Sequence, residues 1–204
     1  MSSLEFFREK GINVSRETFD RLKLYHDILV RWQRACNLIS DSTLPYIWER
    51  HFLDSAQLIS YISLSTRTIV DLGSGAGFPG VVIALLKNTP TFLVESNHKK
   101  SSFLREVKRI TGAPIEIISH RIEDLPSLQG DVVMARAVSD LSSLLNYASL
   151  HLKKEGSCLF LKGKDVEKEI KEAHAIWRFS EKKYPSITDC TGIILEIKEI
   201  TRKR

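Results

Sequence analysis

Apolar positions between residues 15 and 40 recur every three or four residues: Phe19, Leu22, Tyr25, Leu29, Trp32 and Cys36. That spacing places them on one face of a long amphipathic helix. Ser15 suits its N-cap and Glu17 its first turn, where free backbone N–H groups and the helix dipole favour acceptors and negative charge. Asp41-Ser42-Thr43 interrupts the pattern, and Pro45 suits the first turn of a second helix running to residue 62. The opening third of the chain therefore predicts helices and no strand alternation.

The periodicity changes at residue 65. Short β-rich runs at 68–70, 91–95, 115–119, 131–135, 157–161 and 191–197 alternate with helical stretches at 79–87, 98–110, 141–153 and 166–175. Alternation of this kind predicts an α/β fold, a mostly parallel Rossmann-like sheet with helices on both faces. Residues 1–64 then form a helical extension packed on a compact core of residues 65–204, with no internal repeat or low-complexity linker between them.

Composition narrows the class. Hydrophobic residues make up 43% and charged residues 27% of the 204, the balance of an ordinary globular protein with room for a sizeable core. The apolar stretch 81–86 is far shorter than the ~20 residues a membrane span needs. Glu5 and Arg8 straddle Phe6 and Phe7 with no long apolar run after them, unlike a secretory signal. Cys36, Cys158 and Cys190 are odd in number and scattered. That argues against a disulfide framework or a zinc site and predicts a cytoplasmic protein with no metal. A net charge of +5 favours a polyanionic partner.

The most informative stretch is Asp71-Leu72-Gly73-Ser74-Gly75-Ala76-Gly77-Phe78-Pro79, directly after a β-rich run and before a helix. In a doubly wound sheet ligands bind beyond the carboxyl ends of the strands, where this loop lies. Dinucleotide folds space their glycines G-x-G-x-x-G; here the third glycine comes one residue early and Phe78 takes its place. An acid at the strand end would repel a pyrophosphate, whereas it suits the ammonium end of S-adenosyl-L-methionine, which carries no phosphate. Glu95, 18 residues after Gly77, ends the next strand, where an acid accepts hydrogen bonds from ribose hydroxyls. Arg121-Ile122-Glu123-Asp124 falls in the loop after the third strand, the place of the adenine. The expected cofactor residues are thus Asp71, Gly73, Ser74, Gly75, Gly77, Phe78, Glu95, Ile122 and Glu123, joined by Arg136 from the end of the fourth strand.

The methyl acceptor is constrained by what the fourth strand lacks. No Asn/Asp-Pro-Pro-aromatic motif for exocyclic amines follows it, only Met134-Ala135-Arg136-Ala137-Val138-Ser139, and no cysteine nucleophile for pyrimidine C5 is there. A ring nitrogen with a free lone pair, such as guanine N7, needs neither device, and positioning supplies most of the catalysis. Arg136 is the candidate positioning residue. It either contacts a base edge or phosphate, or is an ion-paired arginine of the surface.

These motifs resemble the bacterial glucose-inhibited division protein B family, the small-subunit ribosomal RNA methyltransferases G. Trp32 with Asn37-Leu38, Arg50-His51-Phe52-Leu53-Asp54-Ser55, the extended loop from Asp71 to Gly80, Lys99-Lys100, Arg121-Ile122-Glu123, Arg136-Ala137 and Lys162-Gly163 carry the likeness. Cys36 stands where an aromatic is common, and the match is weak after Lys164. The resemblance implies a class I methyltransferase sheet, S-adenosyl-L-methionine as cofactor, and N7 of a guanine in the decoding region of 16S ribosomal RNA as acceptor. The partner is the RNA or the small ribosomal subunit, and a monomer is the favoured state. It also implies that Arg50, His51 and Asp54 place the cofactor or the helical extension rather than act as a base.

Lys99, Lys100 and Arg105 on one helix, with Lys162, are the expected RNA contacts. Lys108, Arg109, Lys153, Lys154, Lys164 and the terminal Arg202-Lys203-Arg204 add charge that would make binding salt-dependent. Two other readings remain open. One is a methyltransferase acting on another RNA, a protein or a small molecule, and the other is a non-catalytic RNA-binding protein that keeps the fold.

Overall fold

A computed structural model describes residues 3–203, so Arg204 lies outside the described residues. The chain opens with α1 (Ser3–Glu9) and α2 (Arg16–Gln33). The Ser15 side chain caps α2, accepting from Thr18 N at 3.1 Å. The apolar stripe extends to Cys36, but the helix stops at Gln33. The Gln33 side chain turns back to accept from Leu38 N and Ile39 N and to donate to the Ile39 carbonyl, satisfying the backbone that leaves the helix.

The second helix predicted to run to residue 62 is four short pieces. They are a 3₁₀ turn at Asp41–Tyr46, a π-helix at Trp48–Leu53, α3 (Asp54–Ala56) and a 3₁₀ turn at Gln57–Tyr61. Apolar spacing alone does not separate these windings, and the widened turn coincides with a site described below.

The α/β part follows as β1 (Ile69–Leu72), α4 (Gly80–Lys87), β2 (Thr91–Val94), α5 (His98–Thr111), β3 (Ile115–Ile118), β4 (Gly130–Arg136), α6 (Leu141–His151), β5 (Leu152–Lys162), α7 (Val166–Ile176), β6 (Trp177–Pro185) and β7 (Ile193–Arg202). One seven-stranded sheet has the order β3-β2-β1-β4-β5-β7-β6. β1 to β5 are parallel, and β7 runs antiparallel between β5 and β6. Central β1 is buried at all four residues, as a strand covered on both faces must be.

Several elements differ from the sequence pattern, and β5 begins at Leu152 rather than at 157. The helix expected over 141–153 ends at His151, because Leu152 is extended and pairs with Gly130. β7 continues past residue 197 to Arg202. β6 went unassigned, since only Trp177 and Phe179 are buried apolar residues and Arg178, Glu181, Lys182 and Lys183 charge much of the rest.

The N-terminal helices share a core with the sheet. Phe7, Leu22, Tyr25, Leu29 and Phe52 pack in one cluster with Phe78, Val81, Phe103 and Leu104. On the opposite face Leu141, Leu144, Leu145 and Ile170 cover Val133, Phe160 and Leu195. Arg21 of α2 adds a polar tie, donating to the carbonyls of Thr111 at 2.7 Å and Gly112 at 2.6 Å. A cation there meets the negative end of α5.

Candidate active site

β1 delivers its last residues to the middle of the sheet, beside β2 and β4, and the glycine loop turns away from there toward α4. Gly77 lies at φ +93°, and a Cβ on it would stand 2.6 Å from Val81 Cγ2 and 2.8 Å from the Tyr25 hydroxyl oxygen. Only glycine fits both the backbone and the space. Tyr25, reaching over from α2, donates its hydroxyl to the Ala76 carbonyl and stacks on Phe78 with centroids 5.2 Å apart. The N-terminal helices thus back the loop from behind.

Asp71 is completely buried inside β1, paired in register with Leu93 and Met134. One carboxylate oxygen, Oδ2, accepts from Gly80 N at 3.0 Å at the start of α4, and Oδ1 has no hydrogen-bond partner and no solvent contact. Burial pushes its pKa up to about 7, opposed by the Gly80 N–H. Gly73 and Gly75 are partly exposed, whereas Ser74, Gly77 and Phe78 are buried behind them.

Glu95 follows β2 directly. Its Oε2 accepts from Gly75 N at 2.8 Å and its Oε1 from Asn97 N at 2.7 Å, so one carboxylate joins the glycine loop to the N-cap residue of α5. Beside it opens a cleft of about 210 Å³ lined by Gly73, Glu95, Ser96, His120, Arg121, Ile122, Glu123, Val138, Ser139 and Tyr147. Glu95 and the expected adenine-loop residues Ile122 and Glu123 therefore meet across one cavity. His151 Nε2 lies 3.0 Å from the Ile122 carbonyl and holds that loop in place. Sequence reasoning missed Ser96, His120, Val138, Ser139 and Tyr147. Tyr147 shows only as one polar-tipped aromatic on a helix, a pattern with no ligand signature.

Arg136 lines not that cleft but the two beside it. Its guanidinium donates to the Arg50 carbonyl at 3.1 Å and to His51 Nδ1 at 2.8 Å, lies 3.4 Å from Asp54 Oδ2, and sits 5.0 Å from the centre of the Phe78 ring. The Arg50 carbonyl lies within the π-helical turn, where Arg136 reaches it. Because an arginine only donates, His51 Nδ1 accepts, and its Nε2 carries the proton that bonds Thr43 Oγ1 at 2.8 Å. Burial, with the Arg136 and Arg50 charges, pushes the His51 pKa down to about 3, so the ring is neutral. Of the two roles open for Arg136, the ion-paired one is formed, and its guanidinium still faces the neighbouring clefts.

The segment after Lys164 closes this cluster, which no motif announced. Arg50 pairs with Asp189 at 2.9 Å, Thr188 Oγ1 donates to Asp54 Oδ1 at 2.7 Å, and Ile187 N donates to Gln57 Oε1 at 3.0 Å. The β6–β7 turn is thereby fastened to the segment carrying Arg50, His51 and Asp54.

The expected RNA contacts divide. Lys99 and Arg105 are exposed on α5 and Lys100 is half-buried, Arg105 donating to Ser119 Oγ at 2.7 Å. Lys162 is not a free surface cation. Its side chain is 8% exposed, donates to the Ser139 carbonyl at 3.1 Å, and lies 2.5 Å from Glu169 Oε2. Arg109 and Lys153 are likewise paired, with Glu106 and Asp131.

A family model described as rRNA small subunit methyltransferase G matches residues 18–197. The chain is 47% identical over 191 residues to Ribosomal RNA small subunit methyltransferase G of Paramagnetospirillum magneticum, covering 94% of this chain and 93% of that protein. It is 41% identical to the protein of the same name from Orientia tsutsugamushi, over 94% of this chain and 96% of that one. Among solved structures it is similar to a SAM dependent methyltransferase from Aquifex aeolicus, with a TM-score of 0.60 at 13% identity over 76% of this chain and 94% of that one. It is also similar to a ribosomal protein L11 methylase from Lactobacillus delbrueckii subsp. bulgaricus, with a TM-score of 0.59 at 17% identity over 76% and 79%. Identities this low speak for the Rossmann-like methyltransferase fold alone. The match to the family model and to full-length relatives, over the loop and strand-end acids just described, makes this chain a member of the rRNA small subunit methyltransferase G family.

Proposed function

We propose that this protein transfers a methyl group from S-adenosyl-L-methionine to N7 of a guanine in the decoding region of 16S ribosomal RNA. The observation that carries the reading is the continuity of the clefts. Val138 and Ser139 line both the cavity at Glu95 and a second cleft, which passes along Arg136, Lys162 and Gly163 to the β6–β7 turn. A cofactor in the first would thus present its reactive end to an acceptor in the second.

The residues fit the cofactor. Glu95 and Glu123 offer acceptors for ribose hydroxyls, and Glu95 keeps lone pairs beyond its two backbone bonds. Gly73 and Gly75 bring backbone to the cleft without side chains, with Ser74, Gly77 and Phe78 shaping the loop and Ile122 meeting the adenine. Asp71 Oδ1, buried without a partner, suits the ammonium end through a small adjustment or a water. When bound, the cofactor supplies a methyl group made electrophilic by its sulfonium.

This chain's own work is then to align and to exclude water. N7 has a lone pair and no proton, so no base is needed. His51 offers none, with both ring nitrogens engaged and its pKa far below neutral. Arg136 acts by position, holding the wall of the second cleft. Lys99, Lys100 and Arg105 provide a cationic face for phosphates, read through the salt dependence of binding. Among the described residues no helix is long and apolar enough to cross a membrane. A monomer working in the cytoplasm on the RNA or the assembled small subunit completes the proposal.

The test is transfer of labelled methyl to undermodified small ribosomal subunits, with their naked RNA, transfer RNA and bulk protein alongside. Label recovered as 7-methylguanosine from 16S RNA is the expected result. No label in any RNA, with cofactor binding intact, refutes the acceptor.

A further inference from the structure

Lys162 ends β5, and Glu169 lies in the first turns of α7, across the second cleft from Ala137 at the end of β4. An acid early in a helix, paired with a lysine, is ordinarily a solvated surface pair. This one is not: the Lys162 side chain is 8% and that of Glu169 22% exposed, with Nζ and Oε2 2.5 Å apart. Burying such a pair costs desolvation that its attraction barely repays, so stability gives little reason to keep it. Of its three N–H donors, Lys162 spends one on the Ser139 carbonyl, and its charge lies against Glu169 Oε2 as an ion pair. Glu169 Oε2 faces Lys162, sealed from solvent and without a hydrogen-bond partner, so the carboxylate of a side chain that lines the cleft has unused acceptor capacity. The cleft measures about 370 Å³, ample for a purine, and shares Val138 and Ser139 with the cofactor cavity. Ala137 forms its corner at φ +52°, a conformation a non-glycine residue holds only at a cost and one that tends to mark functional sites.

A rigid neighbouring donor and acceptor match one base edge. Guanine presents O6 as an acceptor beside N1–H and N2–H as donors; adenine presents a donor beside an acceptor, the reverse. From this arrangement we infer that the Lys162–Glu169 pair reads the Watson–Crick edge of the acceptor guanine, Lys162 donating to O6 and Glu169 accepting from N1–H and N2–H. The inference rests on the guanine acceptor proposed above. Reading that edge leaves N7, on the five-membered ring, unengaged, whereas an arginine bidentate to O6 and N7 would cover the atom to be methylated. Lys162 thereby changes from a phosphate contact to a base contact, and Glu169, which no motif singled out, becomes a specificity residue.

The experiment uses small subunits rebuilt with guanosine or inosine at the nucleotide labelled in the transfer assay. Inosine keeps O6, N1–H and N7 and lacks only the N2 amine. The wild-type protein should lose about 10- to 100-fold in kcat/KM on inosine, the loss expected when a hydrogen bond to a charged group is removed. Glu169→Gln should be slower on guanosine, bind cofactor normally, and show a guanosine-over-inosine preference at least several-fold smaller. Equal wild-type rates on the two targets overturn the inference without any variant, even if Glu169→Gln does not fold. An undiminished preference in a folded Glu169→Gln overturns it as well. A wild-type product other than 7-methylguanosine overturns the acceptor proposal, and this inference with it.

Discussion

Replacing Asp71 by asparagine keeps the size and shape of a side chain sealed inside β1 and removes only its charge. Burial holds the folded pKa at about 7, against ~3.9 for an aspartate in an unfolded chain. A carboxyl whose folded pKa is raised contributes its full stability below the unfolded value, and loses it as pH rises from about 4 to 7. The gap of about three units corresponds to ~4 kcal/mol of ionisation cost, present at pH 7 and above and absent near pH 4. Asp71→Asn should therefore match the wild type in acid and exceed it by ~2–4 kcal/mol at pH 8. Carboxyls with depressed pKa, such as Asp189, held down to about 2 chiefly by its bond from Arg50, tilt the absolute curves the other way. They are common to both proteins and cancel in the difference. Urea unfolding followed by circular dichroism at several pH values between 4 and 8 reads that difference. The same variant should bind S-adenosyl-L-methionine about 10- to 100-fold more weakly, since the negative charge facing the ammonium group is gone. A stability difference independent of pH, or a variant less stable at pH 8, would refute the reasoning about Asp71.

Other expectations follow from the same geometry. Glu95→Ala should weaken cofactor binding by ~1–3 kcal/mol, measured by calorimetry, because ribose acceptors and the tie to Gly75 N go together; unchanged affinity would remove Glu95 from the cofactor site. Gly77→Ala should destabilise the fold by ~2–4 kcal/mol in urea, combining a left-handed backbone with overlap on Val81 and the Tyr25 hydroxyl. Arg136→Ala should reduce kcat far more than cofactor affinity, and the reverse split would assign it to the cofactor.

The alternation of strands and helices, the loop at residues 71–79, and the acids at successive strand ends were legible because each is local in the chain. The wiring of Arg136 was not. Its partners, the Arg50 carbonyl, His51 and Asp54, lie more than 80 residues away in sequence, and the π-helical turn that carries two of them has no apolar period of its own. Lys162 illustrates the opposite error. A lysine at a strand end looks like a phosphate contact until Glu169, one short loop later, is seen folded over it. β6 escaped notice for a related reason: an edge strand needs few apolar residues, and its charges resemble a helix surface.

β7 lies between β5 and β6 and supplies the whole of β6's pairing. During synthesis both neighbours emerge before the strand that joins them. A chain whose β5 and β6 have emerged ahead of β7 therefore carries the unprotected rim of β5 and an unpaired β6, and the turn that fastens to Arg50 and Asp54 is not yet closed. At ~5–20 residues per second that interval lasts only seconds, but translation stalling within it would expose a hydrogen-bonding edge inviting association with other chains. The order in which the ribosome delivers these strands thus makes the last of them the one that completes the wall of the cleft at Arg136.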